Sequence, residues 1–495
     1  MCGIAGAIDL TGRREFSARR LLAMTGAIAH RGPDDEQVHI EPGVALGARR
    51  LSIVDLAGGR QPLCNEDGSI WVTQNGEIFE YPELQTELLA RGHRLATRCD
   101  TELWVHLYED RGESCFEKTR GQFAVALWDR NHRTVILGRD RVGICPLYYT
   151  EADGWLLWGS EIKALLSSGL VPARPDPKGI DLFFNTFCAG SSRTFFEGIH
   201  SIPPGHFLRI RDGRVELKQY WDLDFPDAGA ERRLDDPTPL VDELEFLMRQ
   251  AVERRLRGDV PVVSYISGGL DSTVILGLSS RQRGSAVPSF TIGLDHAGPD
   301  ERSHASESAR TLGSALSTIT MNRGDIVAAY PELIRAAEGP VMDSSCACLM
   351  RLARAVHDQG YKVVLTGEGA DEALAGYAWF KSQKARDAVS WGPMVPILKA
   401  ARGLALRSIG GTTHRPDLLG IRGARTAQQD VYDFMAQARS VMYSGSLWDR
   451  LAGHAPYDDL DLPNDRFSRW HPLNQSLYVG YKVMLAGLLL VAKGD

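Results

Sequence analysis

Met1-Cys2-Gly3-Ile4-Ala5-Gly6 opens the chain and decides how its first half is read. A small residue at position 2 lets the initiator methionine be removed. The mature chain would then begin with a cysteine carrying both a thiol and a free α-amine. That amine has an ordinary pKa of about 7.7–8.0, so it serves as a base near neutral pH. A thiolate is a strong nucleophile, and a neighbouring amine can activate it. One residue would supply nucleophile and base together. A small cysteine buried at a strand start reads the same way in isolation, so its partners elsewhere in the sequence must decide.

Short β-type runs fill the first ~200 residues, at 44–46, 51–54, 70–74, 123–128, 134–138, 147–150 and 155–159, punctuated by Gly, Pro, Asn and Asp. Helical periodicity appears near 19–30 and 82–91, with a third pattern at 100–110. This mixture predicts a layered α+β domain rather than a barrel or a bundle. A polar, proline-bearing stretch at 222–239 reads as linker, and helical periodicity resumes at 240–256. From residue 260 the pattern alternates: strands at 260–266, 288–294, 316–321 and 362–366, with helices at 273–280, 303–312 and between the later strands. Such alternation predicts a parallel, doubly wound α/β sheet. After Tyr377 the chain is mainly helical, and the late apolar run at 483–492 reads as a buried helix.

A cysteine that attacks an amide needs donors for the oxyanion and groups that orient the substrate. Asn75-Gly76-Glu77 follows the run at 70–74, so the Asn75 amide and the Gly76 backbone N–H are candidates for an oxyanion hole. Glu77 and Asp100 can accept from a substrate ammonium. Arg50 suits bidentate capture of a carboxylate. Ammonium, carboxylate and amide are the groups of glutamine. Each element has a plain structural alternative: a turn at Asn-Gly-Glu, an ion pair at Arg50, a helix N-cap at Asp100.

Taken in order, Cys2-Gly3-Ile4-Ala5-Gly6, His30-Arg31-Gly32-Pro33-Asp34, Arg50-Leu51-Ser52-Ile53-Val54-Asp55, Asn75-Gly76-Glu77-Ile78, Arg139-Asp140-Arg141-Val142-Gly143 and Ser160-Glu161-Ile162-Lys163-Ala164-Leu165 resemble the class II glutamine amidotransferase domain of asparagine synthetases. The resemblance covers residues 2–205. It implies an N-terminal-nucleophile fold, two antiparallel sheets between helical layers (αββα). It also implies Cys2 as nucleophile, Asn75 and Gly76 as oxyanion hole, and Arg50, Glu77 and Asp100 as glutamine holders, with main-chain contacts from a strand at Leu51, Ser52, Ile53 and Val54.

In the second half, Ser267-Gly268-Gly269-Leu270-Asp271-Ser272 lies between a predicted strand and a predicted helix. Its glycines let backbone N–H groups approach an anion, its serines add donors, and the helix start favours negative charge. It is not the Walker pattern. Asp271 in a phosphate loop makes sense as a Mg²⁺ ligand. Thr366-Gly367-Glu368-Gly369-Ala370-Asp371-Glu372 follows another strand, so both loops lie at strand carboxyl ends and can face one pocket. Asp371 could share metal with Asp271, and Glu368 could take a proton from an attacking amine. These loops resemble the ATP pyrophosphatase domain of asparagine synthetases. The resemblance implies ATP and Mg²⁺, an acyl-adenylate formed with release of pyrophosphate, and adenosine contacts at Ile266, Ile292, Thr366 and Gly367.

Expected domains are therefore a glutamine amidotransferase at 2–205, a connector at 206–239 and an α/β ATP pyrophosphatase domain at 240–495. Family members run on past the end of this chain into a segment carrying a lysine for the adenylation step. No position here corresponds to it, so weakened synthetase activity with a surviving glutaminase is expected. The charge of −7 argues against nucleic-acid binding, and no apolar run reaches the ~20 residues of a membrane span. Eight scattered cysteines suit a reduced, cytoplasmic protein. The expected reaction is glutamine-dependent formation of asparagine from an aspartyl-adenylate. Three matters stay open: another carboxylate acceptor, a glutaminase-only or regulatory role, and a homodimer.

Overall fold

The computed structural model describes residues 1–232, 234–295, 301–381 and 426–494. In the first half, the strands are β1 (Gly3–Asp9), β2 (Asp35–Glu41), β3 (Val44–Arg50), β4 (Leu63–Cys64), β5 (Ile70–Ile78), β6 (Gly121–Asp129), β7 (Thr134–Arg139), β8 (Tyr148–Ala152), β9 (Trp155–Gly159), β10 (His200–Ser201), β11 (His206–Arg211) and β12 (Arg214–Gln219). They form two antiparallel sheets, ordered β10-β8-β9-β1-β3-β2 and β12-β11-β7-β6-β5-β4. Ile4, Ile8, Leu46 and Trp158 of one sheet meet Ala124, Ala126, Leu137 and Leu208 of the other in a shared core. The outer face of the first sheet packs on helices Ala18–Ala27 and Ile162–Ser167. That of the second packs on helices Tyr81–Ala90 and Leu103–Arg111. The result is the four-layer αββα arrangement of an N-terminal-nucleophile fold.

β1 sits at the middle of its sheet and is buried on both faces, so every residue from Gly3 to Asp9 is covered. A doubly covered strand shows no alternation, and the periodicity reading passed over it. Gly6 is required by close packing: a Cβ there would lie 2.2 Å from Trp158 Cζ2 and 2.5 Å from the Ala45 carbonyl.

Two expectations change in this half. Residues 51–54 are not a strand. Arg50 is buried, and its guanidinium draws in the carbonyls of Val54, Asp55 and Leu56, curling the segment back on itself. The connector expected from residue 206 contains a hairpin up to Gln219, which supplies the edge of the second sheet. Its signal was the Asp212-Gly213 pair, both at positive φ, the chemistry of a two-residue hairpin turn. Beyond the hairpin, Asp222 is held by Arg466 (2.7 Å), the Tyr478 hydroxyl (2.9 Å) and Lys482 (2.8 Å).

The second half holds a parallel sheet of β13 (Val262–Tyr265), β14 (Ser289–Leu294), β15 (Leu316–Met321) and β16 (Val363–Leu365), ordered β15-β14-β13-β16. Leu352 and Val356 of helix Ser345–Asp358 cover one face. Leu276 of helix Leu270–Arg283 and Ala305 of helix Arg302–Thr311 pack in a second apolar cluster. The sheet is thus doubly wound, and its strand order reverses between β13 and β16. Of the helical stretch expected between 378 and 470, residues 382–425 lie outside the described residues. The helices from Ala427–Ala436 onward pack Tyr432, Tyr457 and Tyr478 around Leu182 and Cys188 of the first half. The chain then continues as a π-type helix, Gly480–Gly494.

Asp140 anchors the turn after β7. Its Oδ1 accepts from the N–H groups of Val142 (3.1 Å), Gly143 (2.7 Å) and Ile144 (3.0 Å), and its Oδ2 from Phe123 (3.2 Å) and Cys145 (2.9 Å). Asp140→Asn replaces one acceptor by a donor aimed at buried N–H groups. Each group left unpaired costs about 1–3 kcal/mol. The urea midpoint should therefore fall with an unchanged m-value.

Candidate active sites

Cys2 lies immediately before β1 and is fixed from two sides. Arg31 Nε donates to the Cys2 carbonyl (2.9 Å), and Arg31 Nη1 donates to Glu161 (2.9 Å). The Leu51 N–H donates to the thiol (3.3 Å). Burial pushes the thiol above its ordinary pKa, Asp100 adds to the rise, and the chain-terminal amine, the Leu51 N–H and Arg50 oppose it.

Asn75, Gly76 and Glu77 are not a turn. They continue β5, paired with Ala124, Phe123 and Gln122 of β6. Asn75 is fully buried, and neither its Nδ2 nor its Oδ1 has a hydrogen-bond partner. Such orphaned atoms are rare in a folded protein and suit a site whose partner is a ligand. Gly76 has φ +138°, and a Cβ there would lie 2.0 Å from the Gln122 carbonyl, so no other residue fits. Glu77 Oε1 is also buried without a partner. Burial and the nearby Asp100 push the Glu77 carboxyl up to about 8, against the pull of Arg255 and Arg257 from the second half.

Asp100 does not cap the following helix. Its buried Oδ2 accepts from the Ile78 N–H (2.9 Å) and the Gln74 amide (2.8 Å), tying it to β5. Gln74, which the sequence reading overlooked, also donates to the Gly76 carbonyl (3.1 Å). Leu51, Ser52, Ile53 and Val54 form the loop around Arg50. Asp34 accepts from the Ser52 N–H (2.7 Å), and the Asp259 N–H donates to the Ile53 carbonyl (2.8 Å). Lys362, just before β16, donates to Asp34 (2.6 Å), so the second half braces this loop twice.

The second constellation lies where the strand order reverses, the place at which open α/β sheets bind ligands. Helix Leu270–Arg283 starts directly after Gly269, earlier than expected, so Asp271 and Ser272 sit in its first turn. Ser272 Oγ accepts from the Ser267 N–H (3.2 Å), and Ser267 Oγ accepts from the Gly269 N–H (3.2 Å). Gly268 has φ +81°, and a Cβ on it would meet the His304 carbonyl carbon at 2.5 Å. The loop after β16 packs onto this helix start: a Cβ on Gly367 would lie 2.9 Å from the Ser272 nitrogen and 3.0 Å from Asp271 Cβ. Burial and the charge of Asp271 raise the Asp371 carboxyl above its ordinary value. Two carboxylates close enough for one to shift the other, beside a glycine-rich loop at a helix start, fit a divalent cation bound with a phosphate substrate. Glu368 and Thr366 are exposed at the same strand end. The side chains of Ile266 and Ile292 pack into two different apolar clusters, so contacts from them to a nucleotide would be main-chain.

A buried cysteine at position 2 and an orphaned buried amide on β5, joined in one chain to a nucleotide-type loop pair, fit a glutamine amidotransferase coupled to an ATP-dependent ligase. Residues 1–221 match the family model of the glutamine amidotransferase domain, and residues 243–495 match that of asparagine synthase. The amidase chry2 of Gibberella zeae is 32% identical over all of this chain and 78% of its own length. The glutamine-hydrolyzing asparagine synthetase 3 of Bacillus subtilis is 31% identical over 79% of this chain and 66% of its own length. Asparagine synthetase 2 of the same organism is 35% identical over 76% of this chain and 52% of its own length. The chain belongs to the asparagine synthase family of glutamine amidotransferases. Among the described residues, no helix is long and apolar enough to cross a membrane.

Glu77 gives a pH signature. Its folded-state pKa is above the unfolded value, so the stability its neutral form contributes is complete below 4.5 and is lost as pH rises through about 8. Urea midpoints of the wild type should decline over that window relative to Glu77→Gln. Parallel curves would show that Glu77 ionises in the fold as it does in water.

Proposed function

We propose that Cys2, once Met1 is removed, attacks the side-chain amide of glutamine. The α-amine takes the thiol proton and passes it to the departing ammonia. A thioester remains, and water hydrolyses it to glutamate. The oxyanion is held by the Asn75 amide and the Gly76 N–H. Arg50 and the 51–54 loop receive the α-carboxylate, and Glu77 and Asp100 the α-ammonium. The observation that carries this reading is the buried Asn75 amide, both of whose polar atoms lack a partner.

At the second site the acceptor carboxylate attacks the α-phosphorus of ATP and displaces pyrophosphate. Ser267, Gly268, Gly269, Leu270 and Ser272 cradle the phosphates, with Thr366 and Gly367 beside the nucleotide. Mg²⁺ held by Asp271 and Asp371 would neutralise phosphate charge. Ammonia then attacks the acyl-adenylate, AMP leaves, and Glu368 takes up the released proton. Aspartate is the acceptor we favour, giving asparagine. A different carboxylate is the second reading, supported by the amidases chry2 and chyE, the latter from Penicillium rubens, each 32% identical and matching 100% and 94% of this chain.

Two variants separate the halves. Cys2→Ala should abolish glutamine hydrolysis yet leave pyrophosphate release with ammonia. Asp271→Asn should do the reverse. Asn75→Ala should lower glutaminase kcat about 10²–10³-fold, the usual loss for one oxyanion donor. A pyrophosphate-release screen over carboxylates identifies the acceptor. Glutamate formation with no pyrophosphate from aspartate or any other carboxylate would remove the synthetase half of the proposal.

A further inference from the structure

Away from both sites, three separate elements converge on the outer side of the second sheet. Glu66 comes from the β4–β5 turn, His93 from the segment after helix Tyr81–Ala90, and His106 from helix Leu103–Arg111. One ligand atom from each lies within 4.8 Å of the other two. His106 Nδ1 is 3.9 Å from Glu66 Oε2 and 3.1 Å from Glu109 Oε2, and His93 Nδ1 is 3.6 Å from the same Glu109 oxygen. A tetrahedral zinc with ligands at about 2.0–2.2 Å sets its ligand atoms roughly 3.3–3.6 Å apart, close to these spacings.

The surroundings orient each group. Glu66 turns its other oxygen to the Arg94 N–H (3.0 Å), and Glu109 turns its other oxygen to the Asn65 amide (2.8 Å). The far nitrogen of each imidazole faces a carboxylate: His93 Nε2 lies 3.0 Å from Asp110 Oδ1, and His106 Nε2 lies 3.7 Å from Glu102 Oε1. At His93 that is the carboxylate–histidine–metal arrangement that fixes tautomer and ring direction. His106 is fully buried, and its Nε2 has no hydrogen-bond partner. Four carboxylates surround two imidazoles, with Arg91 on the rim at 3.3 Å from Asp110, so a dication is electrostatically favoured. Paired imidazoles select a zinc-class ion over calcium or magnesium.

We propose that Glu66, His93, His106 and Glu109 bind one divalent transition-metal ion of the zinc class. The ion would fasten the β4–β5 turn and the 91–99 segment to the helix that follows Asp100. This is independent of the glutamine reading, since none of the four residues belongs to it.

Chelator-treated full-length protein is titrated with Zn²⁺, desalted and measured for metal content and thermal midpoint. We expect one zinc per chain and a raised Tm, both lost in His93→Gln and Glu66→Gln, which change partly exposed side chains. Asp110→Asn should weaken zinc binding about 10–100-fold. Co²⁺ in place of zinc should give visible d–d absorption without a thiolate-to-cobalt charge-transfer band. Zinc retention unchanged in His93→Gln, a thiolate band, or no retained zinc with no Tm change would each overturn the site and leave an imidazolium–carboxylate cluster.

Discussion

Arg31 is the side chain on which the placement of the amino terminus depends. It is buried and donates to the Cys2 carbonyl and to Glu161. Burial alone would raise the Glu161 carboxyl, but His30, Arg31 and Lys163 hold it down at about 2. Glu161 sits just before helix Ile162–Ser167, and the two leading N–H groups of that helix, from Ile162 and Lys163, donate to Glu338 at 2.6 Å each. Glu338 belongs to the second half. A line of charge-assisted hydrogen bonds thus runs from there through the helix start, Glu161 and Arg31 to the backbone of Cys2. Removing one partner of a buried ion pair costs about 3–5 kcal/mol, so neither Arg31 nor Glu161, the buried pair in this line, can be lost quietly.

The same coupling recurs on the opposite side of Cys2. The 51–56 loop presents the Leu51 N–H to the thiol, yet it has no regular secondary structure of its own. Arg50 gathers its carbonyls from within, while Asp259 and Lys362 secure it from the second half, Asp259 also accepting from the Asp55 N–H (2.8 Å). Arg257 adds a two-pronged pair to Glu83 and a bond to the Phe79 carbonyl. The first half is folded around its own double sheet, but the loop that shapes the cysteine site is completed by residues far along the chain.

How much of this was legible depended on the kind of signal. The parallel sheet was readable because β and α periods alternate over long stretches, and its two loops fell at the strand ends where they were expected. Several antiparallel strands were readable at their cores but misjudged at their ends. β1 showed only as a possible strand start at Cys2, because burial on both faces erases alternation. The 51–54 run has strand composition, but a buried guanidinium outcompetes the ladder for its carbonyls. The hairpin at 206–219 carried an Asp-Gly turn signal that was passed over. At the site, residue types were legible while partners were not. Gln74, Arg31 and Glu161 position others through contacts between residues distant in sequence, and no local pattern announces them. The Glu66–His93–His106 cluster was likewise unreadable, because its spacing of 27 and 13 residues matches no metal motif.

The unpaired groups of the cysteine site carry a cost that says what the site is shaped for. Two amide atoms of Asn75 and one oxygen of Glu77 are buried without partners, and such groups typically cost about 1–3 kcal/mol each. β5 bears this load because it is paired along its length with β6 and tied through Gln74 and Asp100. Glu77 limits its share by holding its proton, which is what a carboxyl pushed up to about 8 does at neutral pH. On the proposed reading, an incoming ammonium reverses that preference: it stabilises the charged form, so binding expels the Glu77 proton as the oxyanion donors find their partner. The cost of those unpaired groups is then the source of specificity, because a ligand lacking either the amide or the ammonium leaves part of that cost standing.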